Sequence, residues 1–149
     1  MKVGECCTRK PVVATAATPI EEIARLMRER HVGAIVVVEK NGDGNRPIGL
    51  VTDRDLVVEV LAAGVSPAAL TAGDLMGEQM LAACVDDDLD ATLASMSELG
   101  VRRAPVVDAG GTLVGMLTLD DVLGVAAQSV NYMAQLVARE IAQEAQRRQ

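Results

Sequence analysis

The run Gly-Leu-Val-Thr-Asp-Arg-Asp-Leu at residues 49–56 returns as Gly-Met-Leu-Thr-Leu-Asp-Asp-Val at residues 115–122, an offset of 66 residues (115 − 49). Upstream of these runs, residues 32–38 align with residues 101–107 at an offset of 69 (101 − 32). The extra residues of the first copy fall in the turn-rich segment 41–45, where exposed loops tolerate insertions. The shared order of apolar and polar residues indicates that the chain is duplicated.

Each copy predicts the same order of secondary structure, from apolar spacing and from residues that begin or end helices. The first copy is expected to contain a helix capped by Thr18 with Pro19 in its first turn, strands at 34–38 and 47–51, and a helix over 54–63 that Thr52-Asp53 caps and Gly64 ends. The second is expected to contain a helix after Asp86-Asp87-Asp88 and strands at 104–107 and 113–117. This alternation predicts an α/β fold with helices on small sheets.

The chain beyond Leu123 predicts a helix to the C-terminus. Its apolar residues recur at helical spacing and form one stripe, Ala126, Val130, Met133, Val137 and Ile141. Two interpretations stay open: the helix lies on its own domain, or the stripe is a dimer contact.

Composition excludes several classes of function. The 149 residues carry a net charge of −7 and a single aromatic residue, Tyr132, so phosphate backbones are repelled and base-stacking platforms are missing. No stretch approaches the roughly 18 apolar residues that a membrane span needs. An odd number of cysteines, three, fits reduced thiols, and the N-terminus does not resemble a secretory signal. We therefore expect a cytoplasmic protein with no nucleic-acid or membrane partner.

The two closing runs resemble the signature that ends a CBS domain, the module named after cystathionine β-synthase, and residues 100–108 resemble the family's central strand. The resemblance covers residues 12–123 and implies a CBS-domain pair: two β-α-β-β-α repeats with pseudo-twofold symmetry, plus a C-terminal helix. We assign residues 1–64 to the first repeat, 65–74 to a linker, 75–124 to the second repeat and 125–149 to the helix.

Similar proteins bind AMP, ADP, ATP, S-adenosylmethionine or NAD-type dinucleotides in two clefts between the copies, and most regulate an enzyme, channel or transporter. The resemblance implies a nucleotide site made of Gly33, Ala34, Ile35, Thr52, Arg54, Asp55, Arg102, Arg103, Ala104, Pro105, Thr118 and Asp121. In this site the threonines stand at helix N-termini that favour phosphate, and each aspartate can accept ribose hydroxyls. Arg102 and Arg103 would hold phosphates, whereas the first copy has Gly33 and Ala34 in their places, so the clefts are not expected to be equivalent.

Each of these assignments has a plainer alternative. Thr and Asp three residues apart also form a capping box at a helix start. The arginine pair can be solvated at the surface, and His31 fits the C-terminal end of a helix better than a ligand contact. Asp86-Asp87-Asp88 is interpreted as an acidic cap rather than a metal site, and Cys6-Cys7 lacks the further ligands that zinc needs.

No set of nucleophile, base and orienting residue is recognisable, so we expect no catalytic residue, no metal and no required cofactor. The sequence predicts a non-enzymatic sensor module that binds AMP, ADP, ATP or an NAD-type ligand, forms a homodimer and acts on an unidentified effector protein. The alternative is a dimerisation or interaction scaffold whose clefts hold no ligand.

Overall fold

The computed structural model describes residues 1–148, and its elements follow one another twice in the same order, except that strand β1 of the first half has no counterpart among the described elements of the second. The first half contains helix α1 (Val3–Cys6), strands β1 (Thr8–Arg9) and β2 (Val13–Ala14), helix α2 (Ile20–Arg30), strands β3 (Ala34–Asn41) and β4 (Gly44–Thr52), and helix α3 (Asp53–Asp55), continued by a π-helical segment (Leu56–Leu61) and a 3₁₀ turn (Pro67–Ala69). The second half contains helix α4 (Ala72–Leu75), strand β5 (Ala83–Cys84), helix α5 (Leu89–Leu99), strands β6 (Arg103–Val107) and β7 (Leu113–Thr118), and helix α6 (Leu119–Arg147).

Strand register confirms the duplication and the predicted α/β fold. One sheet has the order β2-β3-β4 and the other β1-β7-β6-β5, each with a parallel pair followed by an antiparallel hairpin. Ala34 pairs with Thr52 and Arg103 with Thr118, at the offsets of 69 (103 − 34) and 66 (118 − 52) seen in the sequence. Both hairpins carry a register shift at the corresponding place, after residue 37 in β3 and after residue 106 in β6.

The two sheets face each other, and each also packs on its own helices. A small apolar cluster of Val36, Val38 and Met116 joins the sheets, with Leu50 and Leu113 packed against it. Each of the two larger clusters is centred on one copy, because the inward residues of its strands meet the apolar face of α2 or of α5. This arrangement leaves a cleft between the copies beside the joining cluster.

The copies exchange their first segments, which the sequence did not predict. Val3 in α1 is fully buried in the core of the second copy, where its N–H donates to the carbonyl oxygen of Asp87 at 3.0 Å. Ala72 in α4 is fully buried in the core of the first copy and donates to the carbonyl oxygen of Thr18 at 2.8 Å. The two donor residues are 69 positions apart (72 − 3), and so are the two acceptor residues (87 − 18). The exchange therefore follows the pseudo-twofold relation between the copies.

Three local predictions need correction. The prediction that Thr18 caps α2 is wrong: the N-cap is Pro19, and the Thr18 hydroxyl accepts a hydrogen bond from the Thr15 N–H at 3.1 Å instead. The helix expected over residues 54–63 is largely a π-helical segment, although Gly64 follows it with φ +68° as a helix-ending glycine should. The last helix begins at Leu119, so the closing helix of the second copy and the C-terminal helix are one element.

Helix α6 extends away from the two cores. Residues 126–148 are exposed throughout, and the predicted stripe residues Val130, Met133, Val137 and Ile141 are each more than half exposed. The interpretation in which this helix lies on its own domain is therefore wrong. Among the helices that the structure describes, none combines the length and apolarity that crossing a membrane would take.

Candidate ligand cleft between the two copies

A cavity of about 250 Å³, which we call cleft A, opens between the two copies. Its walls come from the chain before β2, from the beginnings of β3 and β6, and from the end of β7 with the first turn of α6. The lining residues are Thr8, Lys10, Pro11, Val12, Val32, Gly33, Ala34, Arg103, Met116, Thr118 and Asp120. Both copies therefore contribute to one site.

Gly33 has no side chain to fill the space at one wall of cleft A. A β-carbon at this position would lie 3.0 Å from Oδ2 of Asp53 and 3.3 Å from Nη2 of Arg103. The Gly33 carbonyl oxygen also accepts the Asp53 N–H at 3.0 Å, which holds the start of β3 against the end of β4. A larger residue would push a carboxylate or a guanidinium aside, so glycine preserves the opening.

The opposite wall is the N-terminus of α6, where Thr118 and Asp121 form the capping box. The Thr118 N–H and hydroxyl donate to Oδ2 of Asp121 at 3.1 and 2.6 Å, and the Asp121 N–H donates back to Thr118 Oγ1 at 3.1 Å. Oδ1 of Asp121 accepts the Thr8 hydroxyl at 3.0 Å, because β1 pairs with β7 and brings Thr8 beside Met116. The carboxylate of Asp121 is thus held from three donors at the edge of the cleft.

The same capping box recurs in the first copy with fewer donors. Oδ2 of Asp55 accepts the Thr52 N–H at 2.8 Å, and the Asp55 N–H donates to Thr52 Oγ1 at 3.2 Å. The position that corresponds to Thr8 is Gly77 (8 + 69), which has no hydroxyl. Asp55 lines a separate depression of about 440 Å³ together with the carboxylates of Glu59 and Asp74.

The basic residues divide between the cleft and the surface. Arg103, the first residue of β6, is half-buried and lines cleft A, and Lys10 lines it from a backbone position with φ +60°. Arg102 is not among the lining residues; its guanidinium lies 4.0 Å from Asp120, and both side chains are largely exposed. Arg54 is exposed as well, at the start of α3.

The structure therefore separates the twelve residues of the predicted site. Gly33, Ala34, Arg103 and Thr118 come together in cleft A, with Asp121 bonded to Thr118 behind them. Thr52 and Asp55 form the other capping box, while Arg54 and Arg102 are exposed. Ile35, Ala104 and Pro105 are buried in the cores, where they support the walls and offer no side chain to a ligand.

Sequence reasoning missed the segment before β2. Thr8, Lys10, Pro11 and Val12 all line cleft A, yet they belong to the first copy and reach the second through the β1–β7 pair. Two signals could have found them: a basic residue followed by proline just before a strand, and the alignment of this segment with residues 77–81 at the offset of 69 (77 − 8). Met116 and Asp120 were also missed, although both stand inside the second closing run.

Burial raises the pKa of the Cys6 thiol, and the charge of Asp121 and the neighbouring thiol of Cys7 raise it further. The thiol therefore stays protonated to higher pH than an ordinary cysteine, which makes it a poor nucleophile. The three cysteines are free thiols. Cys6 is part of the packing beneath the Asp121 capping box rather than a reactive group.

The remaining candidates have structural roles. Asp86 pairs with Lys2 at 2.7 Å and thereby raises the pKa of that lysine, Asp87 accepts the Cys84 N–H, and Asp88 caps α5. The three carboxylates therefore act as the acidic connection that the sequence predicted. His31 is exposed at the C-cap of α2, as expected for a helix-terminal residue.

The sequence matches the model of one family, described as the CBS domain, over residues 3–62 and 72–128. An uncharacterized protein of Methanopyrus kandleri is 34% identical over 125 residues, 84% of this chain and 62% of its own length. Hypoxic response protein 1 of Mycobacterium tuberculosis is 35% identical over 122 residues, 82% of this chain and 78% of its own length. The chain thus spans less than two thirds of the first of these relatives.

Solved structures share the fold. The CBS domain protein PAE2072 of Pyrobaculum aerophilum, complexed with AMP, has a TM-score of 0.72 at 23% identity and covers 81% of this chain and 89% of its own. The CBS domain pair of protein MJ0100, in complex with 5′-methylthioadenosine and S-adenosylmethionine, has a TM-score of 0.74 at 22% identity, with coverages of 87% and 98%. The cytosolic domain of the Mg²⁺ channel MgtE, in complex with ATP, has a TM-score of 0.68 at 27% identity, with coverages of 83% and 48%.

Proposed function

The chain belongs to the CBS domain family, and we propose that it is a non-enzymatic regulatory module that binds an adenosine-containing ligand in cleft A. The observation that carries this proposal is the joint wall of the cleft: Gly33 and Ala34 from one copy face Arg103 and Thr118 from the other. A ligand in such a site contacts both copies at once. Its binding would therefore report on, and shift, how the two copies sit together.

Relatives support the adenosine class. The three solved structures named above hold AMP, S-adenosylmethionine with 5′-methylthioadenosine, and ATP, which share adenosine and differ at the 5′ end. Cleft A, at about 250 Å³, lies below the roughly 300–1,000 Å³ of common ligand pockets. A nucleoside or mononucleotide such as AMP, ADP or ATP fits this volume better than an NAD-type dinucleotide does.

The roles of individual residues follow from their positions in cleft A. We assign Arg103 to the phosphate end, because its guanidinium lines the cleft and a bidentate fork suits phosphate oxygens. Asp121 would accept ribose hydroxyls, as Asp55 would in the other cleft. The Asp121 carboxylate already accepts three hydrogen bonds of the four or so that a carboxylate can take. A ribose that uses both hydroxyls would therefore have to displace Thr8.

The experiment is a thermal-shift panel of adenosine, AMP, ADP, ATP, S-adenosylmethionine and NAD, with GMP as the control for the base. A ligand at a hundredfold excess over its Kd stabilises the folded state by about 2.7 kcal/mol, which raises Tm by about 5–10 °C for a domain of this size. We expect such a shift with at least one adenine compound and a much smaller one with GMP. Flat curves with every adenine compound at millimolar concentration would favour the ligand-free scaffold instead.

We also propose that α6 forms a homodimer contact with a second copy. Seven large apolar side chains along this helix are more than half exposed: Leu123, Val130, Tyr132, Met133, Leu136, Val137 and Ile141. A self-complementary twofold contact would bury them, and oppositely charged residues near the end, such as Arg139 and Glu140, suit an antiparallel pairing. Light scattering on the full chain and on a truncation ending at residue 128 tests this. A full chain that is monomeric at tens of micromolar would contradict the proposal.

The regulated partner of this module is proposed to be a separate effector protein. We propose a cytoplasmic regulatory role, supported by the odd number of cysteines, which form no disulfide, and by the family to which the chain belongs. A relative from Thermoplasma acidophilum, an inosine-5′-monophosphate dehydrogenase, matches over 106 residues that make up 20% of its length. The matching segment is thus a minor part of that enzyme, which fits the interpretation of this chain as a module.

A further inference from the structure

We propose that Asp120 makes cleft A select adenosine ligands of low phosphate charge, namely those with no phosphate or one phosphate. This inference rests on the proposed function and names the ligand class that this cleft would take. It depends on which charges line the cleft and on how they differ at the corresponding positions of the other copy.

Three charged side chains line cleft A: Lys10, Arg103 and Asp120. Their formal sum is one positive charge, because Asp120 offsets one of the two cations. Behind them, the carboxylate of Asp121 adds a negative charge and receives only neutral donors. Counted with Asp121, the site has two cations and two anions, whereas a site built for a triphosphate would be expected to present an excess of cations to the ligand.

Arg102 does not remove the effect of Asp120. Its guanidinium lies 4.0 Å from Oδ1 of Asp120, but the two side chains are 72% and 81% exposed. Such a surface pair is screened by water and held loosely. Much of the Asp120 charge therefore remains available to repel a polyphosphate at the mouth of the cleft.

Comparison of the two copies shows that the fold does not require a negative charge at the position of Asp120. The residue that corresponds to Asp120 in the first copy is Arg54 (120 − 66), and the residue that corresponds to Gly33 in the second copy is Arg102 (33 + 69). Arginines thus stand at the two positions equivalent to the aspartate and the glycine of cleft A, and neither of them lines the depression beside Asp55. Equivalent backbone positions thus carry opposite charges in one case, Asp120 and Arg54, and no charge against a positive one in the other, Gly33 and Arg102.

The size of the effect follows from Coulomb's law. Two unit charges about 4 Å apart in water interact by about 1 kcal/mol, which corresponds to about fivefold in affinity. Replacing Asp120 with Asn removes one repulsive charge, and replacing it with Arg adds an attraction as well. We expect the ratio of the Kd for ATP to the Kd for adenosine to fall about fivefold in Asp120→Asn and about 25-fold in Asp120→Arg.

The test measures both dissociation constants at cleft A alone, from the ¹H–¹⁵N resonance of the Gly33 amide, in magnesium-free buffer of constant ionic strength. Asp90→Asn is the matched control, because Asp90 is exposed and stands one residue after the start of α5, as Asp120 does in α6. This control removes the same charge from the same place in a helix and leaves the walls of cleft A intact. We expect it to leave the ratio unchanged.

The outcomes separate the inference from the proposed function. A wild-type preference for adenosine or AMP over ATP that weakens in the Asp120 variants, but not in Asp90→Asn, supports the inference. Adenosine binding with a ratio that is the same in all four proteins overturns the inference and leaves the proposed function standing. Absence of binding by adenosine, AMP and ATP alike overturns the proposed function, and the inference with it.

Discussion

Gly33 and Ala34 stand at the start of the central strand of the first copy, and Arg102 and Arg103 stand at the start of the central strand of the second. The backbone is otherwise the same in both places: the carbonyl oxygen of Gly33 accepts the Asp53 N–H at 3.0 Å, and that of Arg102 accepts the Leu119 N–H at 2.9 Å. Ala34 and Arg103 correspond to each other, yet both line cleft A. They must therefore lie close to the pseudo-twofold axis.

Duplication thus preserved the backbone framework of the two copies and changed the side chains that line the cleft. Hydrogen bonds between backbone groups, strand register and the exchanged helices α1 and α4 recur in both copies, because they hold the two cores together. Side chains at the cleft are under no such constraint, and they differ in charge and in size. The two clefts of one molecule can consequently differ in the ligands that they take.

The largest expected effect on stability comes from substituting the two equivalent glycines, Gly49 and Gly115. A β-carbon at Gly115 would lie 2.8 Å from the backbone oxygen of Thr8, whereas one at Gly49 would meet side-chain atoms of Met76 at 2.7 Å. A methionine side chain can move aside and a paired strand cannot. Gly115→Ala should therefore lose about 3 kcal/mol of unfolding free energy and Gly49→Ala about 1 kcal/mol, by urea denaturation. Equal losses would contradict the distinction between the two contacts.

A second effect compares the two capping boxes. Asp121 accepts three hydrogen bonds, including that of Thr8, while within residues 1–148 Asp55 accepts only the Thr52 N–H. Asp121→Ala should cost about 2 kcal/mol of stability and Asp55→Ala about 1 kcal/mol, measured from urea unfolding midpoints. Thr8→Val should account for part of the difference. If Asp55→Ala lowered stability more than Asp121→Ala, the hydrogen bond between Thr8 and Asp121 would not be stabilising the fold.

The smallest effect compares the ends of the two long helices within the copies. His31 ends α2 with φ +54°, and its counterpart Gly100 (31 + 69) ends α5 with φ +66°. A left-handed backbone suits glycine and strains other residues. Gly100→Ala should destabilise the protein by about 1 kcal/mol, and His31→Gly should stabilise it by about half that amount. Thermal unfolding of the two variants measures both, and a loss of stability in His31→Gly would show that its imidazole has a further role.

The sequence predicted what is local and repeated. Strand β3 contains a run of apolar β-branched residues, and β4, β6 and β7 each contain a short apolar segment that nearby residues define. The capping boxes also depend only on residues three apart, so Thr52 and Thr118 could be identified as helix starts. The inserted segment 41–45 joins β3 to β4, as its glycines indicated, although only residues 42–43 form the turn and the others extend the two strands.

The sequence did not predict what depends on contacts between the copies. Nothing local shows that Val3 packs in the second core or that Thr8 reaches Asp121, because both follow from the pairing of β1 with β7. Neighbouring residues at the start of a strand point to opposite sides of the sheet, so one of two adjacent arginines must face away from the cleft. Which of Arg102 and Arg103 faces the cleft depends on the register of β6, and that register is set by its partner strands.

This pair of arginines gives the most direct test of the ligand site. Arg103 lines cleft A and Arg102 does not, although the two are adjacent and carry the same charge. Calorimetric titration of AMP into Arg103→Ala, beside Arg102→Ala as the matched control, separates a built phosphate contact from general surface charge. We predict that Arg103→Ala weakens AMP binding at least tenfold while Arg102→Ala changes it by less than about threefold, since a charge-assisted hydrogen bond contributes roughly 1.5–3 kcal/mol. Wild-type affinity for AMP in Arg103→Ala would contradict the assignment of the ligand to cleft A.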